Sequence, residues 1–290
     1  GEHSEFRAVH GHMTSTAAIY LPVAKKAGIP VTVAHARSAG VDSGLKGRLT
    51  KLLRRNLKKK SDYCFACSRL AAEAVFGKEA VKAGRVTILP NTIQGGLYRF
   101  DETKRNEMRR SLCVSDRFVI GHVGRFHPCK NHGFLLEVFA AFRKLHPKTV
   151  LLLLGEGGQM DVIKKKAETL GILEDVRFLG NQTGIQDYYQ AFDAFVFPSF
   201  YEGMPGSVVE AQAAGLPCLV SDRVTKEVVF TELVTFLDIE APAKEWAEQI
   251  EKTGRNPDRD VYDKLITAGF DAADQAVFLQ KFYASGRLDI

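Results

Sequence analysis

Glu202 and Glu210 flank a short turn that contains Gly203 and Gly206. An apolar run precedes this turn and an apolar pattern with helical spacing follows it, so the turn is predicted to join the end of a strand to the start of a helix. Backbone N–H groups at the start of a helix attract an anion such as phosphate. Carboxylates, in turn, accept hydrogen bonds from hydroxyl groups. Phosphate and vicinal hydroxyls together indicate a nucleotide sugar as the ligand.

A second pair of candidate residues, Arg125 and Lys130, follows another apolar strand that ends near Gly124. Two cations at the carboxyl end of a strand can neutralise a diphosphate. Solvated loop charges are the commoner use of lysine and arginine. The position at a strand end nevertheless favours phosphate binding for this pair.

The run LLGEGG, residues 153–158, resembles a glycine-rich phosphate loop. It lacks the full spacing of a Rossmann fingerprint or of a P-loop. Glycine also permits a tight backbone turn between a strand and a helix. A phosphate contact and a purely structural turn therefore both stay open for this run.

Three histidines and an arginine lie at the ends of two early apolar strands: His10, His12, His35 and Arg37. Histidine is a common metal ligand, but the sequence shows no further ligand close to these positions. A histidine is more often a packed or surface side chain. We therefore predict no metal at these residues.

The composition limits the classes of protein to consider. The chain has 290 residues, of which 45% are hydrophobic and 26% charged, so we expect two folded domains rather than disorder. No apolar run is long enough to span a bilayer. A net charge of +6 allows anionic small molecules, nucleic acid or a lipid surface as partners. Five cysteines, an odd number, favour free thiols in a reducing cytoplasm.

Residues Leu45 to Lys60 are predicted to form one amphipathic helix with its leucines on one side. Its polar side carries the cations Lys46, Arg48, Lys51, Arg54, Arg55, Lys58, Lys59 and Lys60. Such a helix could lie on anionic lipid as a peripheral membrane contact. It could equally pack its leucines on a sheet and leave its charges in water, which we prefer. Nucleic acid is not expected, because no aromatic residues are interleaved with the cations.

Strands and helices alternate along most of the chain, which predicts an α/β fold with parallel sheets covered by helices on both faces. The predicted strands are 31–34, 63–66, 86–89, 118–123, 149–154 and 176–179, and the predicted helices include 17–27, 131–145, 160–170 and 186–191. Residues 91–106 lack strong periodicity, so we expect the interdomain linker there. The first block has too few strands for a complete doubly wound domain. We therefore expect its amino-terminal part to be absent.

Several runs together resemble the carboxyl-terminal domain of family-four (group 1) glycosyltransferases, which have the GT-B fold. These runs are VGRFHPCKN, LLGEGG, VRFLGNQTGIQDYYQAFDAFVFPS and YEGMPGSVVEAQAAGLPCLVSD. ILPNTI resembles the interdomain turn of that family, VHGHM its amino-terminal domain and the tail its crossover helix. The resemblance implies two Rossmann-like domains: a partial acceptor-side domain at 1–98 with the crossover helix at 271–290, and a nucleotide-sugar-binding domain at 99–270.

The resemblance also implies a role for each matching residue of the donor site. Arg125 and Lys130 match the pair that contacts the diphosphate, and Glu210 matches the carboxylate that holds the ribose hydroxyls. Glu202 matches the carboxylate that faces the donor sugar. The backbone of Gly203, Met204 and Gly206 lies where phosphate and sugar approach, and the base is expected near Gly180, Asn181 and Gln182.

The family's catalytic histidine corresponds to His35 or to Arg37, and we assign it to His35. The implied catalytic residues are thus His35, Glu202, Arg125 and Lys130. No metal and no cofactor are implied, because side chains and a helix N-terminus hold the phosphates.

The function implied by the resemblance is retaining transfer of a sugar from a nucleotide-diphosphate sugar, a UDP-sugar, to a polysaccharide or lipid-linked acceptor. The closest subgroup comprises bacterial enzymes of capsular and exopolysaccharide biosynthesis, which implies the cytoplasm, at the inner face of the membrane. A nucleotide-sugar epimerase of the same architecture and a non-catalytic sugar-nucleotide-binding protein are the alternatives.

Overall fold

The structure is a computed structural model that describes residues 5–37, 44–202 and 204–288. The chain forms two compact units, Gly1–Thr92 with Gly269–Ile290, and Ile93–Ala268. The first division lies a few residues before the predicted boundary at 98/99, and the second lies just before the predicted boundary at 270/271. The last segment of the chain belongs to the first unit.

Helices and strands are numbered in chain order. Up to Thr92 they are β1 (Ala8–Gly11), α1 (Thr14–Lys26), β2 (Val31–Ala36), α2 (Gly44–Arg54), α3 (Leu57–Lys60), β3 (Tyr63–Ala66), α4 (Arg69–Phe76), α5 (Lys78–Lys82) and β4 (Thr87–Ile88). The second unit contains α6 (Gly95–Tyr98), α7 (Glu102–Ser111), β5 (Phe118–Val123), α8 (His132–Leu145), β6 (Thr149–Leu154), α9 (Met160–Thr169), β7 (Val176–Gly180), α10 (Ile185–Ala191), β8 (Ala194–Phe197), α11 (Gly206–Ala213), β9 (Cys218–Ser221), β10 (Val234–Leu237), α12 (Ala243–Thr253) and α13 (Tyr262–Thr267). The final helix is α14 (Ala272–Ser285).

The first unit has a parallel sheet in the order β1-β2-β3-β4. β2 is buried along its whole length, as expected for a strand covered on both faces. α14 packs on the sheet through Phe282, whose ring centre lies 4.9 Å from that of Tyr63. The hydroxyl of Tyr63 donates a hydrogen bond to the carbonyl of Gly286 at 2.8 Å, which holds the end of α14.

The second unit has a six-stranded parallel sheet in the order β10-β9-β8-β5-β6-β7. β8, and β6 after Thr149, are continuous apolar runs, and every residue in both strands is buried, which explains why these strands were predictable from the sequence. The two parallel sheets confirm the predicted α/β class.

The segment 91–106, predicted as the interdomain linker, contains the division between the units after Thr92, but most of it is helical, since it includes α6 and the start of α7. α7 has no apolar face, so the hydrophobic pattern could not reveal it. Asp101 caps the helix by accepting a hydrogen bond from the N–H of Lys104 at 3.1 Å. Arg109 then anchors it, because its guanidinium lies 3.1 Å from the buried carboxylate of Asp193.

The predicted continuous helix at Leu45 to Lys60 is also wrong in detail, because α2 ends at Arg54 and α3 begins at Leu57. Leu57 is fully buried in the core of the first unit and Leu53 packs against that core. Leu49 and Leu52 are exposed instead. Among the described residues, no helix combines the length and apolar composition that crossing a membrane requires.

Candidate active site

The second sheet reverses its strand order between β5 and β8. From β5 the chain proceeds outward to β6 and β7, whereas β8 leads to β9 and β10 on the other side. In open α/β sheets, ligands bind outside the carboxyl ends of the strands at such a reversal of strand order. The N–H of Phe200 donates to the carbonyl of Cys129 at 2.9 Å, which links the two loops. Arg125, Lys130 and Glu202 all lie on these loops.

Lys130 and Glu202 contact each other directly. The Nζ of Lys130 lies 2.7 Å from the Oε1 of Glu202, and their side chains are 17% and 20% exposed. The same ammonium lies 4.6 Å from the centre of the Phe197 ring, at the end of β8. The structure thus joins two residues for which separate roles were predicted, one cationic and one acidic.

Arg125 lines a cleft of about 640 Å³ with Asn181 and Gln182. The amide of Asn181 donates to a carboxylate oxygen of Glu156 at 3.0 Å. Tyr188 donates its hydroxyl hydrogen to Gln182 at 2.8 Å. The predicted diphosphate cation and the predicted base-binding residues therefore share one cleft.

The glycines of LLGEGG have a packing role. A Cβ on Gly155, whose φ is +130°, would lie 2.3 Å from the carbonyl oxygen of Gly124. A Cβ on Gly157 would lie 2.4 Å from the carbonyl oxygen of Phe126. The N–H of Phe126 also donates to the carbonyl of Glu156 at 2.9 Å. This turn therefore holds the backbone on either side of Arg125, which favours the structural interpretation of the glycines.

Glu210 lies on α11 and is held by two tyrosine hydroxyls. Tyr189 donates to its Oε2 at 2.8 Å, and Tyr98 also hydrogen-bonds to this carboxylate. Burial raises the pKa of both tyrosines, and the negative charge of Glu210 raises them further, so both phenols stay protonated and donate. A carboxylate has about four acceptor positions, so Glu210 retains capacity for further hydroxyl groups. Neither tyrosine was recognisable from the sequence as a site residue.

α11 begins at Gly206, directly after Pro205. The first N–H groups of a helix have no acceptor within the helix, so the start of α11 presents donors for an anion. A Cβ on Gly206 would have no heavy atom within 4 Å, so open space borders this position. Met204 is half-buried beside it. Gly203 lies outside the described residues.

Two buried histidines, which the sequence analysis did not single out, lie beneath the β5 loop. Nδ1 of His122 donates a hydrogen bond to the carbonyl of Val196 at 2.8 Å, and the ring centre of His122 lies 4.7 Å from that of His132. Burial lowers the pKa of His122 well below its usual value and that of His132 to about 4, and the charge of Lys130 lowers both further. Both rings are therefore neutral at pH 7 and add no positive charge to that of Arg125 and Lys130 on this loop.

In the first unit, β1 and β2 bring three histidines together. Nε2 of His10 lies 3.0 Å from Nδ1 of His35, and Nδ1 of His10 contacts the hydroxyl of Tyr283. Burial lowers the pKa of His10 to about 4 and that of His35 to about 3, and the positive charge of Arg37 adds to both shifts. The cluster is therefore neutral at pH 7.

The histidine cluster was not evident in the sequence as a three-ligand group. The nitrogens of His10, His12 and His35 lie within 4.8 Å of one another, close enough to consider a metal ion. The rings of His10 and His12, however, are stacked with their centres 4.4 Å apart. A metal ion binds in the plane of an imidazole ring, so two nearly parallel rings do not direct their lone pairs at one ion. This geometry favours a hydrogen-bonded stack.

Comparison with known proteins assigns the family. The profile of the family described as glycosyl transferases group 1 matches residues 103–270. EpsF of Bacillus subtilis (strain 168), which is named as a glycosyltransferase, is 35% identical over 97% of this chain and 76% of its own length. A UDP-Gal:alpha-D-GlcNAc-diphosphoundecaprenol alpha-1,3-galactosyltransferase of Escherichia coli is 28% identical over 75% of this chain and 58% of its own length.

Solved structures agree on the fold. The structure of Anabaena Alr3699/HepE in complex with UDP superposes with a TM-score of 0.77 at 19% identity, over 98% of this chain and 80% of that one. Sucrose-phosphate synthase from Thermosynechococcus elongatus superposes with a TM-score of 0.74 at 19% identity, over 98% of this chain and 75% of that one. These neighbours confirm the GT-B architecture. The chain belongs to the group 1 glycosyl transferases.

Proposed function

We propose that this transferase moves a sugar, with retention of configuration, from a UDP-sugar to a polysaccharide or lipid-linked acceptor in bacterial capsular or exopolysaccharide biosynthesis. The observation that carries the proposal is the placement of Arg125, Lys130, Glu202 and Glu210 around the reversal of strand order. Two relatives support the donor: the Anabaena protein was solved with UDP, and the Escherichia coli enzyme is named for a UDP-sugar donor and a lipid diphosphate acceptor. We place the reaction in the cytoplasm, at the inner face of the membrane.

Each group has a chemical task in this proposal. Arg125 and Lys130 neutralise the diphosphate, with help from the N–H groups at the start of α11. Glu210 accepts hydrogen bonds from the ribose hydroxyls, and Glu202 accepts them from the donor sugar. The base occupies the cleft beside Gly180, Asn181 and Gln182. In the first unit, His35 is the proposed catalytic group, with Arg37 as the alternative at that position.

Catalysis follows from how charge develops in the reaction. As the bond between the sugar and the diphosphate breaks, the leaving phosphate becomes more negative. Arg125, Lys130 and the helix terminus then bind it more strongly than they bind the intact donor, which lowers the barrier. Cationic side chains provide this stabilisation, so the proposal requires neither a metal nor a cofactor.

The decisive experiment measures UDP binding by calorimetry for Glu210→Gln. This substitution keeps the shape and removes the charge that strengthens hydrogen bonds to hydroxyl groups. Such bonds contribute about 1.5–3 kcal/mol, so affinity falls about tenfold or more. Glu245→Gln, at an exposed carboxylate in the first turn of α12, is the matched control and keeps wild-type affinity. Unchanged UDP affinity in Glu210→Gln would contradict the proposed ribose site.

Product analysis tests the reaction itself. Incubation of the full chain with a UDP-sugar and a saccharide acceptor should yield UDP and an elongated saccharide, which mass spectrometry detects. Binding of the donor without any transferred sugar would support a non-catalytic binding protein instead.

A further inference from the structure

The segment from α2 to α3 concentrates positive charge. Residues 44–60 contain eight lysines and arginines and no acidic residue. Lys58 and Lys60 already have partners, since their amines donate hydrogen bonds to the carbonyls of Phe76 and Ala18 at 3.2 and 3.0 Å. Within the described part of the chain, no carboxylate forms a salt bridge with Arg48, Lys51 or Arg55. These three cations are therefore available to an external anion.

The exposed side of α2, together with Arg55 directly after the helix, combines these cations with apolar side chains. We call Arg48, Leu49, Lys51, Leu52 and Arg55 the α2 patch. Leu49 and Leu52 are 56% and 64% exposed and lie three residues apart, so they are neighbours on the helix surface. Arg48 and Arg55 lie one turn before and after Leu52, and Lys51 lies beside it. Leu52 thus lies between Arg48 and Arg55 along the segment.

A groove borders this side of the helix. It has a volume of about 550 Å³ and is lined by Arg48, Lys51, Leu52 and two further arginines of the same segment, together with Ala74 and Val75 of α4. Basic residues of this segment and apolar residues of α4 therefore line one groove.

The combination of positive charge and exposed apolar surface distinguishes between nucleic acid, free phosphate and an anionic membrane as partners. Nucleic acid would be bound by cations together with aromatic rings that stack on its bases, and the α2 patch contains no aromatic residue. A free phosphate would leave Leu49 and Leu52 without a role. An anionic bilayer uses both parts, because headgroup phosphates pair with cations while leucines enter the boundary of the acyl chains.

We infer that the α2 patch is a docking surface for a membrane that contains anionic phospholipid. Headgroup phosphates contact Arg48, Lys51 and Arg55, and Leu49 and Leu52 insert between the lipids. Binding is peripheral and reversible, with α2 parallel to the membrane plane. The inference does not depend on the identity of the sugar donor, and it requires no other part of the proposed reaction.

The test is co-sedimentation of the full chain with vesicles, without nucleotide sugar. Wild type should bind vesicles of phosphatidylcholine and phosphatidylglycerol, bind pure phosphatidylcholine vesicles weakly, and dissociate at high salt. The variant Arg48→Gln/Lys51→Gln/Arg55→Gln should lose roughly 100-fold in partitioning, about fivefold for each cation. Leu49→Ala/Leu52→Ala should bind less tightly while it keeps its preference for anionic vesicles.

The matched control removes three exposed lysines from the second unit, Lys144→Gln/Lys165→Gln/Lys252→Gln, and so makes the same change in net charge. It should bind vesicles as wild type does, and circular dichroism should show that every variant is folded. Equal losses in the two triple variants would overturn the inference, because net charge alone would then explain binding. Retention of single-stranded RNA but not of vesicles would overturn it in favour of nucleic acid. Neither of these results would bear on the proposed transferase reaction, since the assay contains no sugar donor.

Discussion

Glu202→Gln is expected to change the affinities for UDP and for a UDP-sugar in opposite directions. The carboxylate lies 2.7 Å from the ammonium of Lys130, so a diphosphate that binds Lys130 must compete with Glu202. The pair is partly buried, and its Coulomb attraction is offset by the cost of removing both charges from water. The net stabilisation from such an ion pair is about 1 kcal/mol. Releasing Lys130 therefore tightens UDP binding about fivefold.

A UDP-sugar responds differently because Glu202 is proposed to bind its sugar hydroxyls. The loss of a hydrogen bond to a charged acceptor costs about 1.5–3 kcal/mol, which exceeds the gain from releasing Lys130. The ratio of the UDP-sugar affinity to the UDP affinity should thus fall by about tenfold to 100-fold. Calorimetric titrations with UDP, and with the UDP-sugar that gives the largest thermal shift, measure both quantities.

Two further variants make this prediction specific. Lys130→Gln should weaken binding of both ligands, since it removes a cation from the diphosphate. Glu156→Gln, at a carboxylate of the cleft that Arg125 lines, removes the same charge without a contact to Lys130. If Glu202→Gln weakens UDP binding, or if Glu156→Gln tightens it equally, the competition argument is refuted.

Two predictions concern stability. Gly155→Ala should destabilise the chain by about 1–3 kcal/mol, because a residue with a side chain must adopt a φ of +130° and its Cβ approaches the carbonyl of Gly124. Gly158 has open space around it, so the control Gly158→Ala should leave the melting temperature nearly unchanged. Burial lowers the pKa of His35 to about 3 in the folded chain. Between pH 6.5 and about 3 the unfolded chain therefore binds a proton at this residue that the folded chain does not, so the free energy of unfolding decreases as the pH falls. His35→Gln should therefore reduce the drop in melting temperature between pH 7 and pH 5. An unchanged drop, equal to that of a control at the only partly buried His146, His146→Gln, would contradict this reasoning.

The sheets were predictable because a buried parallel strand is a continuous apolar run between helical patterns. The strands at Phe118–Val123 and Thr149–Leu154 match their predicted bounds for this reason. α7 was missed because its stability comes from contacts that are distant in sequence. Arg105 and Arg109 bind Asp193 across the unit, and one chain segment alone does not show such a partner.

The candidate site, like the fold, was only partly predictable from the sequence. Arg125, Lys130, Glu202 and Glu210 could be chosen from the sequence, since each follows a predicted strand or lies near a helix start. The residues that contact them could not be identified from the sequence. Tyr189 of α10, which binds Glu210, is one of two adjacent tyrosines among polar residues, and only tertiary packing directs its hydroxyl at the carboxylate.

The groups of the donor site differ in how firmly the fold holds them before a ligand binds. Glu210 is fixed by two tyrosine hydroxyls, so it meets the ribose without a further cost in side-chain entropy. Lys130 is fixed too, but by Glu202, and a donor must exchange that partner for its own phosphate and sugar. Within the described residues no hydrogen-bond acceptor holds the side chain of Arg125, so a ligand must order it. Under the proposed roles, Glu210 therefore supplies affinity common to all donors with the same nucleotide, whereas the exchange at Lys130 and Glu202 separates one donor sugar from another.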